Sequence, residues 1–279
     1  MKVFISADME GVSGLTDSDE MIVEGYEFER GRRLLTGDVN AAIAGAFDGG
    51  ATEVVVNESH WTMRNLLTEE IDPRATVIRG IVKRGCMMEG LDESFGAAFF
   101  VGYHSRHGVS QGVMNHAMLG KEIQNLYMNG QPVGEMTVNA AFAGQMGVPV
   151  VLITGDQTAA QEAQEAFGPD NIETVVVKVG IGRFTAKLLH PTVAQQRIRE
   201  GAARAVNRAA GIRPYVVEMP ASMGFEFTST AMAEVCSWIP TVRRLGPRLV
   251  EFTFDDWREG MGLMFALLWL ALHVADRMY

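Results

Sequence analysis

Cysteine and positive charge are scarce in this sequence. Only two cysteines occur among 279 residues, Cys86 and Cys236, and they form neither a C-x-x-C pair nor a disulfide-rich pattern. A reducing, cytoplasmic location is therefore predicted, and each cysteine is interpreted as a buried apolar side chain. The formal net charge of −10 and the absence of a basic run argue against nucleic acid or an anionic membrane as a partner. We expect the partner to be a small molecule.

Export and membrane signals are also missing. The amino terminus leads directly into an apolar segment, without the basic region and cleavage site of a signal peptide. The one long apolar run, residues 260–275, is shorter than the roughly 20 residues that span a bilayer, and it contains Gly260, Gly262 and His273. A buried carboxy-terminal helix is expected there. The Walker loop and the H-E-x-x-H motif do not occur either, so no nucleotide-binding or single-motif zinc protease signature is present.

Short apolar segments alternate with segments of helical periodicity along most of the chain. The predicted strands are residues 2–7, 53–57, 76–79, 97–102, 148–153, 174–177, 215–218 and 249–254. The predicted helices are residues 26–47, 134–146, 159–166, 192–210, 229–237 and a last one from Asp255. Between them, Asn129-Gly130 indicates an antiparallel hairpin. The pattern predicts an α/β fold with a mostly parallel sheet flanked by helices and a smaller α+β carboxy-terminal part, divided into residues 1–170 and 171–279.

Acidic side chains and histidines follow several of the predicted strands. The first strand leads into Asp8 and Glu10, and later strands lead into His60 and His104. Because the carboxyl ends of parallel strands meet at one edge of a sheet, these side chains are expected to lie together. Imidazole and carboxylate are ligands that zinc accepts, and more than four such groups suggest two metal ions. Spacing alone supports Glu135 least, since a glutamate in the first turn of a helix is expected from the helix dipole.

These residues have structural alternatives. Glu10 could instead cap a helix or pair with Arg32 or Arg33, and His60 could be an ordinary loop histidine. A different function is a magnesium-dependent phosphohydrolase of the haloacid-dehalogenase type, with Asp8 as the nucleophile. That chemistry expects a further acidic pair just after Asp156, which the sequence lacks, and it gives the histidines no role.

Taken together, these segments resemble the zinc-dependent D-aminopeptidase family of the DppA type. The resemblance extends in order from residue 3 to about residue 210. It rests on residues 6–11 (S-A-D-M-E-G), 57–60, 102–104, His116 and the run 133–150 that contains Glu135. Two positions differ from the usual family pattern. Trp61 stands where a glycine is common and Gly155-Asp156-Gln157 replaces a pair of aspartates, and both changes are expected to reshape the substrate pocket.

The resemblance implies a metal-dependent aminopeptidase that releases amino-terminal D-residues from short peptides, typically peptides that contain D-Ala. It implies two zinc ions per subunit, with Asp8 shared between them, and a catalytic role for His116. The implied zinc ligands are Asp8, Glu10, His60, His104 and Glu135. Asn115, next to His116, is predicted to bind the substrate. The subunits are expected to assemble into a homodecamer of two stacked pentamers.

Overall fold

The structure is a computed structural model that describes residues 1–275. Its strands are β1 Lys2–Ala7, β2 Glu53–Glu58, β3 Ala75–Ile78, β4 Ala97–Tyr103, β5 Ile123–Met128, β6 Gln131–Val133, β7 Val150–Asp156, β8 Glu173–Gly182, β9 Thr185–Leu188, β10 Ala221–Phe227, β11 Arg243–Arg244 and β12 Leu249–Phe254. Its α-helices are α1 Phe28–Asp48, α2 Glu135–Gln145, α3 Gln157–Phe167, α4 Pro191–Arg208, α5 Thr230–Cys236 and α6 Trp257–Ala275. Most of these elements lie within a few residues of their predicted positions.

The larger sheet has seven strands in the order β3-β2-β1-β4-β7-β8-β9. Its neighbouring strands are parallel except β8 and β9, which form an antiparallel hairpin at one edge. Alternate residues of β1 face opposite sides, as strand geometry requires. Val3 and Ile5 pack into the core formed with α1 and α4, whereas Phe4 packs into the core shared with the second sheet and α6. The mostly parallel α/β sheet predicted from the sequence is confirmed.

The second sheet has five strands in the order β11-β12-β10-β5-β6, and all of its pairs are antiparallel. Asn129 and Gly130 connect β5 to β6 with positive φ at both positions, as a two-residue type I′ turn requires. The larger sheet includes β8 and β9, and the second sheet includes β5 and β6. Strands from both sides of residue 170 therefore contribute to each sheet, and the division into two domains at that residue stays a prediction.

The apolar carboxy-terminal run forms α6, as expected. Trp257, Met261, Leu267 and Ala271 on this helix are almost completely buried in the core shared with the second sheet. No helix within residues 1–275 is both long and apolar enough to cross a membrane.

The two cysteines are also buried and unpaired, and burial raises the pKa of each thiol to about 12. A cytoplasmic location stays a prediction.

One predicted strand is wrong, and one is displaced. Residues 215–218 form no strand: within the described part of the chain no neighbouring strand pairs with this segment, and Val216 and Glu218 in it are exposed. The strand predicted at 148–153 begins after Pro149 and continues to Asp156 as β7. Asp156 then caps α3, where its carboxylate accepts hydrogen bonds from the backbone N–H groups of Thr158 and Ala159.

Candidate metal centre

The carboxyl ends of β1, β2 and β4 lie side by side in the centre of the larger sheet. Ala7 is in register with Glu58 of β2 and with Val101 of β4, so the residues that follow these strands leave the sheet at the same edge. The chain after β1 also passes directly against β4. The backbone N–H of Gly11 donates to the carbonyl oxygen of Gly102 over 2.7 Å, and a Cβ at Gly11 would collide with the backbone of Tyr103. This close approach explains the glycine of the motif at residues 6–11.

Asp8, His104 and Glu135 form the most deeply buried group at this edge. Each offers a ligand atom, and these atoms lie within 4.8 Å of one another. His104 Nε2 lies 3.7 Å from Asp8 Oδ2 and 3.3 Å from Glu135 Oε1. Among the described residues, Asp8 Oδ2 and His104 Nε2 have no hydrogen-bond partner. Such atoms are costly to bury unpaired, and a cation between them would satisfy both, so the donor set fits a metal ion.

Glu10, His104 and His116 form a second group of the same kind. His116 Nε2 lies 3.8 Å from Glu10 Oε1 and 3.7 Å from Glu135 Oε1. His60 joins this group through Glu10, since its Nε2 lies 3.4 Å from Glu10 Oε1. The structure therefore brings together all six charged or imidazole side chains that the sequence analysis selected. Within residues 1–275, Glu10 makes no ion pair with Arg32 or Arg33, and its carboxylate lies beside His60 and His116 instead.

The backbone fixes which histidine nitrogens face the centre. Nδ1 of His104 lies 2.9 Å from the carbonyl oxygen of Ser105, and Nδ1 of His116 lies 3.0 Å from that of Met114. A carbonyl oxygen only accepts hydrogen bonds, so each Nδ1 carries the proton and donates it there. Once Nε2 is deprotonated, each imidazole presents the lone pair of that atom toward the carboxylates. This arrangement is common for histidines that bind metals.

Burial and mutual interaction set the charges in the centre. Burial raises the pKa of Asp8 well above its ordinary value, and the neighbouring charge of Glu10 raises it further. Burial alone would also raise the pKa of Glu10, but His60, His116 and His104 together hold that pKa well below the usual range. For Glu135, burial would again raise the pKa, but His104 and His116 together lower it. Three carboxylates in one buried site favour a bound cation, which would compensate their charge.

Asn115 lies apart from these groups. Its side-chain N–H donates to the carbonyl oxygen of Gly112 over 2.7 Å, and its Oδ1 accepts from the backbone N–H of Gly108 over 3.0 Å. Its polar contacts therefore stay within its own loop, and its role in substrate binding stays a prediction.

Residues 108–112 also match the G-x-S-x-G pattern of serine hydrolases. They lie in turns rather than between a strand and a helix, and Ser110 is exposed, so the nucleophile geometry of that pattern is missing.

Sequence reasoning missed two buried residues that hold the segment after β1. Lys178 of β8 is almost completely buried, and its Nζ donates to the backbone carbonyl oxygens of Glu10, Val12 and Leu15. Asp38 of α1 accepts hydrogen bonds from the backbone N–H and the hydroxyl of Ser13, both over 2.8 Å. The sequence gives only a weak signal for these roles, since Lys178 is a single charged residue inside a strand of β-branched residues.

A buried network of polar side chains connects the segments that carry the centre. Ser6 Oγ lies 2.7 Å from both Ser59 Oγ and Tyr103 Oη. Tyr103 Oη also accepts a hydrogen bond from the side chain of Asn139 on α2. These contacts link β1, β4 and α2 with the residue before His60. They fix the relative positions of the segments that carry the centre, which favours a preformed site.

Known proteins share this sequence and fold over nearly their whole length. The family model of D-aminopeptidases, peptidase family M55, matches residues 1–266. A D-aminopeptidase of Bacillus subtilis (strain 168) is 38% identical over 276 residues, which covers 99% of each chain. The solved structure of the Zn-dependent D-aminopeptidase DppA from Bacillus subtilis, described as a self-compartmentalizing protease, matches with a TM-score of 0.93 at 38% identity and 98% coverage of each chain.

A buried cluster of carboxylates and histidines at the carboxyl edge of a parallel sheet defines a metal-dependent hydrolase. The chain belongs to the D-aminopeptidase family. The family resemblance and the aminopeptidase class that the motifs indicated are thereby confirmed. The phosphohydrolase alternative with Asp8 as nucleophile is not supported, and the histidines, which had no role in it, lie inside the centre.

Proposed function

We propose that the chain is a zinc-dependent exopeptidase that releases amino-terminal D-amino acids from short peptides, with D-Ala peptides among its substrates. Membership of the D-aminopeptidase family supplies the reaction class. The observation that supports a metal most directly is the pair of buried, unpartnered atoms Asp8 Oδ2 and His104 Nε2, 3.7 Å apart. The similar DppA structure is that of a Zn-dependent enzyme.

The proposed zinc ligands are the residues that the family resemblance indicated. They are Asp8, Glu10, His60, His104 and Glu135. Five donors exceed the four that a single zinc ion usually takes, which supports two ions per subunit. Asp8 is the proposed shared ligand. When bound, zinc supplies Lewis-acid chemistry, polarising a carbonyl group and making water a strong nucleophile at neutral pH.

His116 is proposed to move a proton during the reaction. Burial and the neighbouring His104 lower the pKa of His116, so its imidazole is neutral at pH 7. With the proton on Nδ1, held by the carbonyl oxygen of Met114, its Nε2 is free to accept a proton. The imidazolium formed in this way would then donate that proton to the leaving amine. A neighbouring Glu10 carboxylate, 3.8 Å from Nε2, would stabilise the charged form.

The activity test compares stereoisomers with and without metal. We expect D-Ala-D-Ala to be hydrolysed, the activity to disappear after chelation, and zinc to restore it. L-Ala-L-Ala should be the poorer substrate in the same assay, and addition of magnesium to the stripped protein serves as the control. Undiminished hydrolysis after complete removal of metal, or a preference for the L-dipeptide, would refute the proposal.

The chain is also proposed to form a homo-oligomer, a homodecamer of two stacked pentamers, since the similar DppA is described as self-compartmentalizing. Ile181 and Phe184 on the β8–β9 hairpin are 63% and 53% exposed, at an edge of the larger sheet where another chain can pack. Sedimentation should show an oligomer that Phe184→Asp weakens and Val216→Asp, an exposed control elsewhere, does not. A monomeric wild-type protein would contradict this proposal.

A further inference from the structure

An apolar pocket of about 270 Å³ lies beside the candidate metal centre. Most of the side chains that line it are apolar, and four of them, Phe265, Leu268, Trp269 and Leu272, come from α6. Trp61 lies at its rim and is 50% exposed, so the pocket is open to solvent on that side. Phe265 and Trp269 meet edge to face with ring centroids 6.0 Å apart, which makes this wall aromatic.

The pocket and the centre share a residue. Glu135 lines the pocket and also belongs to the buried group with Asp8 and His104. Met118 lines the pocket as well, and its backbone N–H donates to Glu135 Oε1 over 2.6 Å. A peptide whose scissile bond lies at the centre would therefore have a neighbouring side chain within reach of the pocket.

The size and chemistry of the pocket favour one kind of side chain. An apolar cavity of roughly 150 Å³ is enough for a benzene-sized molecule, so this pocket has room for a phenyl ring or a leucine side chain. The methyl group of alanine would leave most of it unfilled. A charged side chain would lose hydration against the apolar walls. The charged residues of the lining are Arg64, which is exposed, and Glu135, which belongs to the metal centre.

We propose that this pocket binds a large apolar side chain on a residue next to the scissile bond. The substrates would then be short D-peptides that carry a leucine-like or phenylalanine-like residue, in preference to peptides of alanine alone. The inference rests on the proposed function, because the pocket is a substrate subsite only if Glu135 belongs to the catalytic centre. Trp61, which also lines the pocket, extends the apolar surface that such a side chain would contact.

Binding of free amino acids to the zinc-loaded protein tests the pocket without requiring turnover. Calorimetry should show D-Phe and D-Leu binding at least roughly tenfold more tightly than D-Ala, since each added methylene in a fitted pocket contributes about a factor of ten or more. Leu272→Trp, which fills the pocket, should remove this preference. Leu270→Trp, on the same helix but outside the lining and equally half-buried, should retain it.

A second variant distinguishes a change in the pocket from misfolding of the protein. Trp61→Gly changes a half-exposed side chain and should reduce the preference for D-Phe while leaving the thermal melt close to that of the wild type. Equal binding of D-Phe and D-Ala by the wild-type protein, or equal effects of the Leu272 and Leu270 variants, would overturn the inference.

Measuring the hydrolysis of four dipeptides separates this inference from the proposed function. The dipeptides are D-Phe-Gly, D-Ala-Gly, Gly-Phe and D-Ala-Phe. If the enzyme is active but shows no preference for a larger side chain on either side of the scissile bond, only the inference about the pocket is contradicted. Tight, Leu272-dependent binding of D-Phe by a protein that hydrolyses none of these peptides would support the pocket and refute the peptidase function.

Discussion

The imidazole rings of His104 and His116 are stacked, with their centroids 4.2 Å apart and their planes 13° from parallel. Their environments nevertheless drive their protonation in opposite directions. Burial would lower the pKa of His104, but the carboxylates of Glu135, Glu10 and Asp8 together raise that pKa well above the usual range. The pKa of His116 is lowered by burial and by His104. The carboxylates around His104 favour a positive charge at that position, which a bound zinc ion would supply in place of the imidazole proton. The lowered pKa of His116 favours the neutral imidazole that is proposed as the proton carrier.

Replacing His116 with alanine should separate metal binding from catalysis. We expect His116→Ala to keep the zinc content of the wild type and to lower turnover by roughly 10²- to 10⁴-fold, the usual contribution of a general acid or base. Metal analysis and peptide hydrolysis measure the two effects. His107→Ala, in the same loop region, is the control and should change neither. Loss of zinc would instead place His116 among the ligands, and near-normal activity would refute its catalytic role.

Lys178 is expected to position the segment that carries Asp8 and Glu10. Lys178→Met would leave the carbonyl oxygens of Glu10, Val12 and Leu15 without their buried donor. Since hydrogen bonds to charged groups contribute about 1.5–3 kcal/mol each, the free energy of unfolding should fall by about 3 kcal/mol or more.

The affinity for zinc should decrease in the same variant, because the ligand segment is no longer held. Denaturant unfolding of the metal-free protein and zinc titration measure the two effects. Lys187→Met on the exposed strand β9 is the matched control. Stability and zinc affinity equal to those of the wild type would show that Lys178 does not position the segment.

Asp38 should make stability depend on pH. Burial raises the pKa of Asp38 from 3.8 to about 6, although hydrogen bonds from Ser13 partly oppose this. The folded protein therefore binds the proton more tightly than the unfolded chain, so this stabilisation is complete below pH 3.8 and is lost as the pH rises through 6. From pH 4 to 7 the loss should be about 2 kcal/mol. Asp38→Asn should remove it, as measured by unfolding of both metal-free proteins across this range. Parallel pH profiles for the two proteins would contradict the assignment.

Much of the fold could be predicted because its signals are local. The strand at residues 2–7 and the helix around Leu35, Val39 and Ile43 follow from apolar spacing, and the structure buries all three of these helix residues. The predicted strand at 215–218 failed because strand formation needs a neighbouring strand as well as β-branched residues. No periodicity in that segment reveals whether such a neighbour is available.

The candidate site likewise contains residues that local sequence signals predict and residues that they do not. Asp8, Glu10 and His104 directly follow predicted strands, and a parallel sheet brings such residues together. Glu135 follows the hairpin that Asn129-Gly130 predicts, and this hairpin turns the chain back toward the same edge. Its place among the ligands comes from the family resemblance, since spacing alone supports it least. Lys178 could not be selected at all, since a lysine in an apolar strand usually extends its ammonium group into solvent. Its contacts exist only in the folded chain.

The central claim is a two-zinc peptidase centre built on Asp8. Its most direct test is metal analysis of the purified protein and of Asp8→Ala, with hydrolysis of D-Ala-D-Ala measured on the same samples. The account predicts about two zinc ions per wild-type chain, and loss of both zinc and activity in the variant. Fewer than about one ion per chain with undiminished activity, or an active Asp8→Ala protein, would contradict it.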